Sequence, residues 1–189
     1  MIISYQGGNY FKFQSGETII LVDPENQRSF KGASLVLNTI KPTKTETPEG
    51  EMPFWIEHQG EYEIQGVQVL GIAASAEDNV QKTIYKIDFD GLAVGILGYL
   101  TKEPEPKIQE NLKNLDCLII PGGGKPFISV NSATKLIRQL EPSIIIPSFS
   151  ANPKELLKEF SQENGEPEEK LNIKKKDLKE KAMTIKCLR

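Results

Sequence analysis

Histidine and cysteine are nearly absent from this 189-residue sequence, which contains one histidine, His58, and two cysteines. A catalytic zinc ion takes about three protein ligands from imidazole, thiolate or carboxylate groups. One histidine cannot supply such a set, and Cys117 and Cys187 lie in separate predicted strands. The composition therefore argues against a histidine- or cysteine-built metal centre. Because both cysteines lie in apolar runs, we expect buried, reduced thiols rather than a disulfide.

The sequence also lacks a surplus of positive charge and a long hydrophobic run. It has 26 acidic and 23 basic residues and a formal net charge of -3, whereas nucleic-acid binders usually have a basic surplus. Apolar runs such as Ile144-Ile145-Ile146 have the length of a strand, far short of the roughly 20 residues of a membrane span. No secretory signal pattern follows Met1. We therefore predict a cytoplasmic protein that binds neither nucleic acid nor membranes.

The first half of the sequence consists of short extended runs separated by turn residues. Residues 10–14 and 18–22 flank a polar turn and predict a hairpin, and residues 35–37 form a further apolar run. The pattern continues at residues 62–64, 67–72, 83–89 and 92–97. Asp90-Gly91 predicts a hairpin turn, because this pair readily adopts the positive φ angles of a type I′ turn.

In the second half, strands alternate with helices. Apolar residues at helical spacing predict a helix over residues 106–115, a second that Asn131 or Ser132 caps and Pro142 ends, and a third over residues 153–160. Strands are predicted at residues 117–120, 143–146 and 183–188, with a polar loop over residues 161–170. Neither an internal repeat nor a second hydrophobic core is visible. We predict a single domain spanning residues 1–189.

Several segments of the chain, taken in order, resemble the metallo-β-lactamase fold superfamily, in its lactonase-like branch of small bacterial "Zn-dependent hydrolase" proteins. Among the segments that carry the resemblance are Ile19-Ile20-Leu21-Val22-Asp23-Pro24, Gly60-Glu61-Tyr62-Glu63-Ile64-Gln65-Gly66-Val67, Leu97-Gly98, Ile119-Ile120-Pro121, Leu140-Glu141-Pro142 and Ile146-Pro147. The resemblance runs nearly from end to end. It implies an α+β fold, namely a four-layer αββα sandwich.

The resemblance also implies where metal ligands would lie, and this sequence departs from the family at each of those places. The strand ending near Thr39 would lead into a His-x-His-x-Asp-His motif, whose ligand positions here hold Ile40, Pro42, Lys44 and Thr45. A further histidine would fall near Ser75 or Ala76, a bridging aspartate on Tyr99 and a last histidine on Phe149. We therefore predict no catalytic residues of the family type, no bound metal and no other cofactor.

A vestigial cleft is predicted at the vacated positions, formed by Thr39, Ile40, Pro42, Tyr99 and Phe149. One interpretation is a cleft filled with packed side chains, which we favour because aromatic groups in a vacated polar site tend to pack. The other is a remodelled apolar pocket that binds a ligand.

A glycine-rich segment and the histidine offer two further candidates for chemistry. In Pro121-Gly122-Gly123-Gly124-Lys125, the backbone of Gly123 and Gly124 together with Lys125 could surround an anion. The spacing does not match a P-loop, so a tight strand-to-helix connection is the preferred interpretation. His58 could act as a general base, but no partner for it is identifiable, which favours a surface or turn histidine.

Two classes of function remain open at the level of sequence. The first is a non-catalytic binding or interaction module with a protein partner or a homo-oligomeric state. The second is a hydrolase of the same superfamily with a rebuilt active site. A fold by itself does not choose between them, but the changed ligand positions favour the first.

Overall fold

The computed structural model describes residues 1–25, 30, 32–40, 53–77, 80–150, 153–163 and 166–189. Three of the positions discussed above, Pro42, Lys44 and Thr45, lie outside these ranges, and so do the side chains of Ser75 and Ala76. Within the described ranges the chain forms two β-sheets and three α-helices.

The strands, in chain order, are β1 Ile2–Gly7, β2 Tyr10–Ser15, β3 Thr18–Val22, β4 Leu35–Leu37, β5 Phe54–Ile56, β6 Gly60–Ile64, β7 Val67–Glu77, β8 Val80–Phe89, β9 Leu92–Ile96, β10 Cys117–Pro121, β11 Ile144–Ser148, β12 Lys170–Asn172 and β13 Thr184–Ile185. The helices are α1 Pro106–Asn111, α2 Val130–Leu140 and α3 Lys154–Glu159, and Lys175–Asp177 form one 3-10 turn.

The two sheets have mixed topology. The first sheet has the order β12-β1-β2-β3-β4-β5, with β3, β4 and β5 parallel. The second sheet has the order β13-β11-β10-β9-β8-β7-β6, with β9, β10, β11 and β13 parallel. Residues 170–185 therefore supply one edge strand to each sheet. A backbone hydrogen bond of 2.8 Å from Thr83 N to Thr39 O joins the sheets beyond the end of β4.

The main hydrophobic core lies between the sheets and contains the inward-facing residues of both, including Phe11, Phe13, Tyr85 and Ile119. A second core packs the outer face of the second sheet against residues of all three helices, among them Leu136 and Leu156. This arrangement confirms the α+β sandwich. Among the described residues, helices cover one outer face only; the opposite face is packed by side chains such as Phe30 and Trp55, whose rings meet edge to face at 5.0 Å.

Most predicted strands and turns are confirmed. The turn residues Asp90 and Gly91 have φ angles of 56° and 71°, as a type I′ turn requires. The predicted cap of α2 was wrong: the helix begins earlier, at Val130, and Ser129 caps it by accepting a hydrogen bond from Ser132 N. Helix α1 ends at Asn111, shorter than predicted. The strand β1 and the three-residue strands β5 and β12 were not predicted.

The histidine lies at the surface and the two cysteines form no disulfide, as the sequence favoured. His58 is exposed in the connection between β5 and β6. Cys117 is buried, Cys187 is half-buried rather than fully buried, and both are free thiols. In the part of the chain that is described, no helix is long and apolar enough to cross a membrane.

Candidate functional site

The predicted cleft residues within the described ranges lie where parallel strands of both sheets end. Thr39 follows β4, Tyr99 follows β9 and Phe149 directly follows β11. Thr39 is buried, whereas Tyr99 and Phe149 are half-buried. Ile40 forms an isolated antiparallel bridge with Lys82, and its backbone also hydrogen-bonds to the Asp23 carboxyl. The ends of parallel strands are a common place for ligand sites, because the connecting loops converge there.

A polar cluster around Asp23 forms the floor of this region. The Asp23 carboxylate accepts hydrogen bonds from Asn9 Nδ2 at 2.6 Å and from Thr39 N at 2.7 Å, and a short one from Thr39 Oγ1. Burial raises the pKa of Asp23 to about 6, although the hydrogen bonds from Thr39 and Asn9 act in the opposite direction. The cluster ties the β1–β2 turn to the ends of β3 and β4.

Gly98 brings the second sheet against this floor. Its φ angle is 54°, and a Cβ atom built on it would lie 2.4 Å from both Cβ and Oγ1 of Thr39. Only glycine fits at this distance, because real Cβ atoms do not approach other heavy atoms so closely. Gly98 therefore allows the chain to place Tyr99 beside Thr39.

Three aromatic rings pack on one another above the floor. The Phe127 and Phe149 rings are stacked, with centroids 4.1 Å apart and an interplanar angle of 21°. Tyr99 meets Phe149 edge to face at 4.9 Å and lies 6.1 Å from Phe127. Phe149 has a φ angle of 57°, which is uncommon for a non-glycine residue. We call Tyr99, Phe127 and Phe149 the aromatic cluster.

Two buried polar atoms near this cluster have no hydrogen-bond partner among the described residues, namely Asn9 Oδ1 and Ser148 Oγ. Their residues are 2% and 0% exposed. Ser148 immediately precedes Phe149, whose N–H donates to Gly8 O at 2.8 Å, next to Asn9. The two residues therefore adjoin the partners of one backbone hydrogen bond. An unpaired buried hydroxyl or amide costs about 1–3 kcal/mol, so such groups call for an explanation.

Negative charge and phenol groups lie at the rim. The Glu25 carboxylate and the Phe149 ring both lie close to Gly8. A Cβ atom built on Gly8 would lie 3.5 Å from Glu25 Oε1 and 3.9 Å from the Phe149 ring. Burial raises the pKa of Tyr99, and the charges of Asp23 and Glu25 raise it further. Burial also raises the pKa of Tyr5, whose hydroxyl donates to Gly8 O at 3.2 Å.

The glycine-rich loop adjoins the aromatic cluster. Gly123 and Gly124 have φ angles of 97° and 93°, and a Cβ on Gly123 would lie 2.5 Å from Val130 Cγ2 at the start of α2. Phe127 N donates to Gly124 O at 2.9 Å, so the loop positions the Phe127 ring. Lys125 is exposed. These contacts fit a tight strand-to-helix connection.

The residues present at the described ligand positions do not fit a metal ion. Ile40 and Phe149 have no donor atoms, and Thr39 Oγ1 already donates to Asp23. The Asp23 carboxylate is itself occupied by three protein donors. The described residues contain no group of three or more His, Cys, Asp or Glu side chains that could hold a metal. Tyr99 alone offers an oxygen, and zinc sites need more.

Sequence reasoning named Thr39, Tyr99 and Phe149 as cleft residues, which the structure places at the strand ends, but it did not name Asn9, Asp23 and Ser148. Asp23-Pro24 carried a signal, because an acidic residue directly after an apolar strand can end up inside the sandwich. Ser148 carried a weaker one, since it continues the alternation of Ile144 and Ile146, which face the main core. Nothing in the local sequence pointed to Asn9 or to the contact between Phe127 and Phe149.

Comparison with known proteins defines the class of the chain. The family model described as "Beta-lactamase superfamily domain" matches residues 2–148. The chain therefore belongs to the β-lactamase superfamily, and its fold is the metallo-β-lactamase fold. A search of curated proteins finds no significant match.

Solved structures with the same fold cover nearly all of the chain. A candidate zinc-dependent hydrolase of the metallo-β-lactamase superfamily from Thermotoga maritima has 20% identity and a TM-score of 0.77, over 100% of this chain and 99% of its own. A candidate metal-dependent hydrolase from Parabacteroides distasonis has 18% identity and a TM-score of 0.65, over 97% and 90%. An isothiocyanate hydrolase from Delia radicum gut bacteria has 11% identity and a TM-score of 0.67, over 91% and 99%. At these identities the likeness establishes the fold alone.

Proposed function

We propose that this protein is a metal-free, non-catalytic member of the superfamily that acts as a binding or interaction module. The observation that carries the proposal is the aromatic cluster: Tyr99 and Phe149 occupy two positions where the family resemblance places metal ligands, and their rings pack against each other at 4.9 Å. Phe127 stacks on Phe149 and completes the packing. Aromatic pairs of this kind contribute about 0.5–1.5 kcal/mol beyond the area that they bury.

The hydrogen bonds of Asp23 support the same proposal. A carboxylate that binds a metal directs an oxygen at the cation. The Asp23 carboxylate instead accepts hydrogen bonds from Asn9 and Thr39. Asp23 therefore ties strand ends together, a structural role that requires no cation.

Metal analysis tests the proposal directly. The protein is expressed with zinc, manganese and iron available, dialysed, and its metal content measured by inductively coupled plasma mass spectrometry. We expect well under one equivalent of any of these metals per chain. Stoichiometric metal that survives dialysis and is displaced by substitution of cleft residues would refute the proposal.

A hydrolase with a rebuilt active site is the second candidate, and one observation favours it. The Asp23 carboxyl, with a pKa of about 6 and a charge that raises the pKa of Tyr99, has the properties of a general base near neutral pH. The purified protein is assayed against a panel of lactones and phosphodiesters. Hydrolysis that disappears in Asp23→Asn but persists in Glu25→Gln would establish this alternative.

The proposal includes the location and the domain organisation of the protein. We place it in the cytoplasm, because two free thiols suit a reducing compartment. We treat residues 1–189 as a single domain, because β12 and β13 join the last part of the described chain to both sheets. A protein partner or a second copy of the chain is the expected interaction. Analytical ultracentrifugation tests the second of these.

A further inference from the structure

Two unpaired buried polar atoms belong to residues next to Gly8 and Phe149, and metal-free packing gives no reason for them. Asn9 and Ser148 are almost fully buried, and Asn9 Oδ1 and Ser148 Oγ have no hydrogen-bond partner among the described residues. In the sequence, Asn9 follows Gly8 and Ser148 precedes Phe149, the two residues that the hydrogen bond from Phe149 N to Gly8 O joins. A fold that merely filled a vacated cleft would gain stability from apolar atoms at these places, because buried unpaired polar atoms are costly.

The groups around these atoms are mainly hydrogen-bond acceptors. Asn9 Oδ1 can only accept, and Ser148 Oγ can accept through its lone pairs. The Asp23 carboxylate lies 2.6 Å from Asn9 Nδ2, and the Glu25 carboxylate lies at the rim beside Gly8. A partner that matches this arrangement must present hydrogen-bond donors, and complementarity to two carboxylates requires that it be positively charged.

The aromatic cluster suits the same kind of partner. Cations are attracted to the faces of aromatic rings within about 6 Å of the centroid, and Tyr99, Phe127 and Phe149 are each only half-buried. The Gly98 turn and the left-handed backbone of Phe149 hold two of these rings at the ends of strands.

We infer that the cleft binds a small organic cation that carries N–H donors, an aliphatic amine in its ammonium form, between the aromatic cluster and the acceptor atoms Asn9 Oδ1 and Ser148 Oγ. This inference rests on the proposed metal-free binding function. The ammonium group lies over the floor that contains Asp23, and its alkyl part contacts the rings. The positive charge that the family resemblance assigns to a metal ion is thus supplied by an organic ligand.

Three probes of matched size separate charge from shape: n-propylammonium, propan-1-ol and propionate. Binding is measured by isothermal titration calorimetry and by NMR shifts of the Phe127 and Phe149 ring protons, on protein whose metal content has been determined. We expect n-propylammonium to bind at least about tenfold more tightly than propan-1-ol and propionate. Equal affinities for the three, no binding at all, or a preference for propionate at the loop containing Lys125 would each overturn the inference.

Ser148→Ala tests whether the unpaired hydroxyl takes part. Ser148 Oγ makes no hydrogen bond within the described residues, so its removal should leave the fold intact and the melting temperature unchanged or slightly higher. The affinity for n-propylammonium should fall about tenfold, as expected when a hydrogen bond to a charged group is lost. Unchanged affinity would mean that the hydroxyl holds only water, and the inference would be wrong.

Thr134→Ala is the matched control. Thr134 Oγ1 is also a buried hydroxyl without a partner in the described chain, but it lies in α2, in a different part of the fold. Its removal should leave amine affinity unchanged. If both variants weakened amine binding equally, the effect would be general and the assignment to the cleft would fail. A protein that contains stoichiometric metal would instead refute the proposed function, whatever its affinity for amines.

Discussion

The protonation state of one residue, Asp23, should affect the stability of the fold. Its pKa in the folded protein is about 6, above the unperturbed value of 3.8. A carboxyl with a raised pKa favours the folded state when protonated, so its contribution is fully present below about pH 3.8 and is lost as the pH rises through about 6. The two-unit difference corresponds to about 3 kcal/mol.

This linkage predicts a difference between two unfolding profiles. The free energy of unfolding of the wild-type protein should fall, relative to that of Asp23→Asn, by about 2–3 kcal/mol between pH 4 and pH 7. Urea denaturation at intervals of half a pH unit measures the free energy of unfolding of each protein. Glu25→Gln, which changes the exposed neighbouring carboxylate, should run parallel to the wild type. Parallel profiles for wild type and Asp23→Asn would contradict the raised pKa.

Phe149 tests whether the aromatic cluster fills the cleft. Truncation of a fully buried phenylalanine costs about 3–5 kcal/mol; since Phe149 is half-buried, we expect Phe149→Ala to cost about 2–3 kcal/mol. At this chain length the melting temperature should fall by about 4–12 °C. Thermal unfolding followed by circular dichroism checks this value.

Phe54→Ala is the comparison for Phe149, because Phe54 is 50% exposed on the short strand β5. Its truncation should lower the melting temperature far less. If Phe149→Ala lowered it by only a degree or two, the rings would not stabilise the cleft, and an open pocket would be the better description.

At the level of single residues, the sequence located the cleft only through the family resemblance. Tyr99 and Phe149 followed from aligned motifs, whereas Asn9 and Ser148 became visible only when the β1–β2 turn and the end of β11 met. That meeting joins Gly8 to Phe149, which lie far apart in the chain. The pattern of neighbouring residues in the sequence carries no information about a contact between two residues so far apart in the chain.

At the scale of elements, the capping of α2 offers a direct test. Ser129 Oγ accepts from Ser132 N at 3.2 Å, and an N-cap serine contributes about 1 kcal/mol. Ser129→Ala should lower the free energy of unfolding by about that amount in urea denaturation. Ser132→Ala retains the backbone N–H and should cost clearly less. Equal losses would place the cap elsewhere.

Elements with a strong local signal were predicted, and those with a weak one, β1, β5 and β12, were not. The hairpin turn at Asp90-Gly91 and the strand β10 followed from turn chemistry and an apolar run. The strands β5 and β12 have three residues each, too few for an alternating pattern to stand out. Their conformation is decided by the neighbours β4 and β1, with which they pair.

At the scale of the whole molecule, a metal site needs ligands from several elements at once. Phe149→His supplies one imidazole at the end of β11, while Tyr99 and Ile40 remain unsuited to zinc. We expect zinc titration of this variant, followed by calorimetry, to show no binding tighter than that of the wild type. Tight zinc binding by Phe149→His alone would reveal ligands at positions other than those that the family resemblance assigns.

The crossing of residues 170–185 from the edge of the first sheet to the edge of the second has a consequence for folding. Ile3 pairs with Leu171 across nearly the whole chain, and Ile145 pairs with Ile185. During synthesis, neither sheet can be completed until these late strands have left the ribosome, and β1 and β11 wait with unpaired edges. Pairing over such long separations slows folding, so the nascent chain exposes unpaired strand edges, which favour aggregation, for longer than a chain with local pairing would.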